Sequence, residues 1–187
     1  MIEIRWHGRG GQGAWTASNL LASAALKEGK YVQSFPTFGP ERMGAPIMAF
    51  TRISDEPIEI HCNIYTPDAV VVLDPTLLNS KMIIEGLKEG GYIIANFRGK
   101  PEELAEKLGV RGKGYKVYTV AATDIAVEIL KRGITNTAML GALIRAIGIV
   151  KLESIYEALK ERFPGKIGEL NIKVVERAYK ETMGVKV

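Results

Sequence analysis

Six residues near the start of the chain, Gly8-Arg9-Gly10-Gly11-Gln12-Gly13, have the types and the spacing of an anion-binding turn. The form Gly8-x-Gly10-x-x-Gly13 lets a backbone approach a pyrophosphate closely and aims the first N–H groups of a following helix at it. The same form also serves close packing of a helix on a strand, or contact with another subunit. An NAD or FAD site needs, beyond the glycines, an Asp or Glu about 20 residues further on to hold a ribose hydroxyl. Here that region reads Tyr31-Val32-Gln33-Ser34-Phe35-Pro36-Thr37-Phe38 and holds no acid. Residues 14–26 carry no charge, so no side chain of the helix's own first turn neutralises its positive end.

A second candidate lies in Gly39-Pro40-Glu41-Arg42-Met43-Gly44-Ala45-Pro46, a turn-rich stretch with an adjacent acid and base. Loops after strands in open α/β sheets are where ligands bind, so Glu41 and Arg42 are candidate contacts, with a solvated ion pair as the alternative. Asp74, ahead of Pro75, is expected at a strand end as a turn or helix cap. Arg111-Gly112-Lys113-Gly114 is basic and glycine-rich, and reads as a solvated loop before a phosphate site. Cysteine and histidine usage removes whole classes of chemistry. Cys62 is the only cysteine, and His7 and His61 are the only histidines. The chain by itself therefore makes no disulfide, no CxxC redox pair and no four-thiolate iron-sulfur shell, and no spacing suggests zinc. There is no Gly-x-Ser-x-Gly, and Cys62, in an apolar stretch, reads as a core residue. Neither a catalytic residue nor a metal ligand is assigned.

These candidates need elements to hold them, and hydrophobic periodicity supplies an order. Residues 2–7 alternate as a strand, and residues 14–26 follow as a helix stopped at Gly29. Residues 31–38 read as a second strand. The segments 47–53 and 57–62, parted by Ser54-Asp55-Glu56-Pro57, read as a β-hairpin. Within Asp68-Ala69-Val70-Val71-Val72-Leu73-Asp74-Pro75 the run 69–73 is continuously apolar, as a strand buried on both faces should be, and is stopped by Asp-Pro. Helix 76–87, strand 92–96, helix 101–108 and strand 115–120 come next. From residue 121 onward the pattern is helical, over 122–130, 136–149, 152–163 and 167–183. This is an α/β architecture: a Rossmann-like open sheet, mostly parallel, with a β-hairpin insertion and a helical C-terminal segment. At 187 residues one domain over 1–187 is expected, with 1–120 forming the sheet portion and 121–187 a helical portion packed on it.

Composition is that of an ordinary globular protein, 47% hydrophobic and 25% charged, with a net charge of +4 spread among acids. It gives no support to nucleic-acid binding. No apolar run reaches membrane-spanning length and the start has no signal-peptide form, so no membrane contact and a cytoplasmic location are expected.

Four stretches, in this order, carry a family resemblance across essentially the whole chain: the turn at 8–13, Thr37-Phe38-Gly39-Pro40-Glu41-Arg42-Met43-Gly44-Ala45-Pro46, Pro67-Asp68-Ala69-Val70-Val71-Val72-Leu73-Asp74, and Asn136-Thr137-Ala138-Met139-Leu140-Gly141-Ala142. Together they resemble the gamma subunit of pyruvate and related 2-oxoacid:ferredoxin oxidoreductases. The resemblance implies part of an enzyme complex with alpha, beta and delta partners and ferredoxin as electron acceptor. Thiamine diphosphate, magnesium (Mg) and 4Fe-4S iron-sulfur clusters would sit on the partners, and the acyl group would pass to coenzyme A. The sequence agrees by what it lacks, a thiamine-type Gly-Asp-Gly and further cysteines. The resemblance also implies a share in receiving coenzyme A, for which Gly8, Arg9, Gly10, Gly11, Gln12 and Gly13 are the candidate contacts, with Glu41, Arg42 and Met43 at the acyl-transfer site or a partner. A carboxylate would repel coenzyme A's phosphorylated ribose, which fits the missing acid. The alternatives are a purely structural scaffold, the corresponding subunit of an indolepyruvate or ketoisovalerate ferredoxin oxidoreductase, and a free-standing nucleotide-binding enzyme.

Overall fold

Ala69–Val72 is apolar and buried at every position, which places it between two layers of structure. In the computed structural model, which describes residues 1–37 and 43–187, this strand (β4) lies beside β1 (Ile2–Arg9), and both run parallel with β5 (Tyr92–Asn96) and β6 (Lys116–Val120). Antiparallel strands flank these four. β3 (Pro46–Ser54) pairs with β1, β2 (Tyr31–Pro36) with β3, and β7 (Met183–Lys186) with β6. The order is β2-β3-β1-β4-β5-β6-β7. The fold is thus the expected Rossmann-like α/β sheet, parallel in its core.

One face of the sheet is covered by α1 (Ala14–Lys27), α3 (Ala122–Leu130), α4 (Asn136–Ile147), α5 (Leu152–Arg162) and α6 (Lys166–Glu181). The alanines of α1, among them Ala14, Ala17, Ala24 and Ala25, are wholly buried and let that helix approach Ile4 and Trp6 of β1 closely. Trp6 satisfies its indole N–H on Thr51 Oγ1 at 2.9 Å. The other face carries α2 (Pro101–Leu108) and two short 3-10 turns, Pro75–Asn79 and Lys81–Ile84, over Val70, Val72, Ile93 and Val117. No helix among the described residues is long and apolar enough to cross a membrane.

Four expectations need correction. The hairpin exists, but its arms are β2 and β3, whereas residues 57–62 form no strand. Both edges of β3 are taken, by β1 on one side and β2 on the other, so β3 has no edge left for that segment to pair with. Cys62, which it carries, is exposed and not in the core. The helix expected over 76–87 is broken into 3-10 turns. Ser80, extended at φ −103°, caps the second turn by accepting from Met82 N–H, and the carbonyls of Ile83 and Glu85 accept from Arg5 instead of from a following helical turn. The last helix stops at Glu181, and the chain returns to the sheet as β7, so the C-terminal segment is not helical to its end. Within β7, Gly184 faces the Tyr118 ring, where an added Cβ would lie 2.2 Å from Cε1.

α4 and α6 meet at Gly141, where an added Cβ would sit 2.5 Å from the Val175 carbonyl oxygen. That neighbour is backbone and cannot rotate away. Gly141→Ala is therefore expected to destabilise the chain by about 1–3 kcal/mol, measured by urea unfolding, with far-UV circular dichroism of the folded state unchanged.

Candidate functional site

β1 ends at Arg9 and the chain turns back through Gly10 to Gly13 into α1. Two of the glycines adopt left-handed conformations, Gly11 at φ 92° and Gly13 at φ 79°. At Gly13 a side chain is excluded twice over, because a Cβ would also come within 2.6 Å of Asn136 Nδ2, at the start of α4. The turn is braced internally. Arg9 N–H donates to Gln12 Oε1 at 2.8 Å, and Gln12 N–H donates to the Arg9 carbonyl at 3.0 Å.

Asp74, at the end of β4, ties this turn to the neighbouring strand. Its carboxylate accepts from Gln12 Nε2 at 2.5 Å and from Thr76 N–H and Oγ1 at 2.8 and 2.6 Å, and Arg9 Nε lies 3.4 Å away. Burial pushes the Asp74 carboxyl up, but the Thr76 and Gln12 hydrogen bonds and the Arg9 charge outweigh it and hold it below the usual carboxylate value. The Arg9 guanidinium is also engaged by Thr76 Oγ1 and by the Gly44 carbonyl at 3.0 Å. Residues 43–45 thereby lie across the glycine turn, with Gly10 N–H donating to the Ala45 carbonyl and Gly44 N–H to the Gly10 carbonyl. Met43, 89% exposed, sets its sulfur 3.2 Å from where a Gly11 Cβ would be. The structure thus brings Gly8 to Gly13 and Met43 together. Glu41 and Arg42 lie outside the described residues.

α1 begins without a side-chain cap and without an acid in its first turn. Its first N–H groups have no intrahelical partner, as at every helix start, and none is paired with a side chain or loop carbonyl among the described residues. Beside them opens a cleft of about 570 Å³, bounded by Gly11, Gly13 and Thr16 on one side and by Arg132, Asn136 and Arg162 on the other. No acid lines it. Helix dipole and two guanidinium groups make this an electropositive cleft. The sequence offers Arg9 as the cation of this turn, and the structure pairs Arg9 with Asp74. Sequence reasoning did not single out Arg132, just past the helix over 122–130, or Arg162, inside the helix over 152–163. No local signal marks either one, since each reaches the turn only through the packing of α3 and α5 around it.

Asp74→Asn is expected to cost about 1–3 kcal/mol at pH 7, because it removes the charge that holds Arg9 and leaves Gln12 and Thr76 with a poorer acceptor. A folded-state pKa below the unfolded value gives stability that is full above the unfolded carboxyl pKa of about 3.9 and is lost as pH falls through the folded one. The stability gap between the parent and Asp74→Asn should therefore shrink as urea titrations are moved from about pH 5 toward pH 2.

The family model of pyruvate ferredoxin/flavodoxin oxidoreductase matches residues 3–181. The pyruvate/ketoisovalerate oxidoreductases common subunit gamma of Thermococcus kodakarensis is 59% identical over 183 residues, covering 98% of each chain. The crystal structure of pyruvate oxidoreductase subunit PORC from Thermotoga maritima superposes with a TM-score of 0.87 at 47% identity, covering 98% of this chain and 97% of that one. A 2-oxoglutarate:ferredoxin oxidoreductase from Magnetococcus marinus, solved with 2-oxoglutarate, coenzyme A and succinyl-CoA bound, shares the fold at a TM-score of 0.75 and 23% identity over 96% of this chain and 30% of that one.

Proposed function

This chain belongs to the pyruvate ferredoxin/flavodoxin oxidoreductase family as a gamma-type subunit of a 2-oxoacid:ferredoxin oxidoreductase, and we propose that its part in the complex is to receive the phosphates of coenzyme A at the start of α1. The observation that carries this reading is the uncapped, acid-free N-terminus of α1 opening into a cleft that holds Arg132 and Arg162. Backbone N–H groups at Gly11, Gly13 and the first turn of α1 take the pyrophosphate, and the two arginines supply the charge-assisted hydrogen bonds that a point dipole alone does not. Coenzyme A, when bound, brings the thiol that accepts the acyl group. The residues of this chain orient its phosphate end, Gln12 and Arg9 act indirectly by holding the turn to Asp74, and Met43 covers the turn.

Thiamine diphosphate and iron-sulfur chemistry fall to other subunits in this reading, as do electron transfer to ferredoxin and the choice of 2-oxoacid. The one cysteine, Cys62, is exposed and stands in a segment outside the cleft, so it fits no cluster here. The Thermococcus relative's name, a subunit common to pyruvate and ketoisovalerate oxidoreductases, supports one gamma chain serving two complexes here as well. The competing reading is a scaffold that touches no substrate. It is favoured by the tight seat of Gly13 on Asn136, which gives the glycine turn a packing reason of its own.

Thermal unfolding of the assembled complex with and without coenzyme A separates the two. Saturating ligand adds about 2.7 kcal/mol at 100 times its dissociation constant. Each charge-assisted contact is worth about 1.5–3 kcal/mol, so Arg132→Ala and Arg162→Ala should each weaken coenzyme A about tenfold or more while the complex still assembles. An undiminished coenzyme A affinity in an assembled double variant would leave the scaffold reading standing.

A further inference from the structure

The face of the sheet away from α1 holds a second cavity, of about 740 Å³, between β1, β3 and the 3-10 turns. Apolar side chains such as Met48, Leu77 and Ile83 wall it, while Arg5 and His7 of β1, 7% and 6% exposed, together with Thr37, Ser80 and Glu85, contribute its polar lining. Arg5 Nε donates to His7 Nε2 at 3.0 Å, and Nη2 donates to the carbonyls of Ile83 and Glu85 at 3.2 and 2.6 Å. Because an arginine Nε always carries its hydrogen, His7 Nε2 is the acceptor, and the ring proton is assigned to Nδ1. Burial and the adjacent Arg5 charge hold the ring neutral, with its pKa lowered to about 3.

Backbone carbonyls orient the Arg5 guanidinium but do not neutralise it. Among the described residues no carboxylate comes within ion-pair distance of it, Glu85 acting only from further away. Neither Arg5 Nη1 nor His7 Nδ1 meets an acceptor among those residues. A buried cation with no counter-charge at ion-pair distance is costly, and an anion delivered into the cavity would relieve that cost. The rim adds a second constraint. Tyr65 and Met82, both at the cavity, are 70% and 71% exposed, a large apolar area in water for any small molecule lodged below them.

We propose that this cavity is the docking site for a segment of another subunit of the oxidoreductase, one that sets an apolar side chain against Met48, Leu77 and Ile83 and a carboxylate against Arg5 and His7. A protein segment continues over Tyr65 and Met82 and buries them, which a free small carboxylate of cavity size does not. The site lies on the opposite face from the cleft beside α1 and does not depend on how coenzyme A binds.

The test is made on the co-expressed complex. Met82→Asp and Tyr65→Ala change exposed residues, so each variant chain alone should unfold at the parent's midpoint, while release of the gamma subunit, followed by native mass spectrometry on dilution, should begin at a concentration at least tenfold higher. A photo-crosslinking amino acid in place of Met82 should capture a peptide of another subunit that contains an Asp or Glu, and replacing that acid by its amide should reproduce the weakened association. Parent-like association of both rim variants overturns the proposal, as does a crosslink confined to the gamma chain itself. Saturable binding of hexanoate to the isolated chain, with association of the rim variants unchanged, overturns it in favour of a small-molecule site.

Discussion

The carboxylate of Asp74 is the point on which the functional end of the sheet depends. It closes β4, caps the turn that follows through Thr76, and reaches across to the glycine turn after β1 through Gln12 and Arg9. Two adjacent parallel strands therefore end in one shared hydrogen-bond network in place of two independent loops. Arg9 extends the network to the Gly44 carbonyl and so sets residues 43–45 over the turn. One acid thus positions three chain segments that meet at the carboxyl end of the sheet, where open α/β folds bind their ligands.

The consequence for electrostatics is a division of labour among the arginines. Arg9 is balanced by Asp74, and Arg52, 1% exposed, is balanced by Glu3 at 2.9 Å, so both serve the fold. Arg132 and Arg162 line a cleft that holds no acid among the described residues. Arg5 is a third kind, buried and held by carbonyls, with Glu85 acting on it only from beyond ion-pair distance. In a protein that works as a subunit, a buried charge with no close partner beneath an apolar rim is an expected mark of surface that assembly completes.

Close approach is the other recurrent device. Gly13 against Asn136, Gly141 against Val175 and Gly184 against Tyr118 all stand where a single Cβ has no room. They join α1 to α4, α4 to α6, and the last strand to the sheet. The helical layer is in this way drawn tightly onto the β1–α1 unit, and that packing is what carries Arg132 and Arg162 to the mouth of the glycine turn.

The sequence by itself determined the α/β class, most of the elements and their order, the glycine turn and the family, because these rest on local signals: period-2 and period-3.6 patterns, a short continuous apolar run, glycines at fixed spacing. It located Asp74 at a strand end but not its grip on Gln12 and Arg9, which lie more than 60 residues away in the chain. Only the tertiary structure decided that β3 pairs with β2 and leaves 57–62 unpaired, that the 76–87 segment gives up helical hydrogen bonds to Arg5, and that residues 183–186 find an open sheet edge. It alone decided that the cations of the cleft are Arg132 and Arg162. Each of these outcomes depends on which edges are already occupied and which distant groups arrive to accept or donate a hydrogen bond, and the periodicity of a short segment carries no record of either.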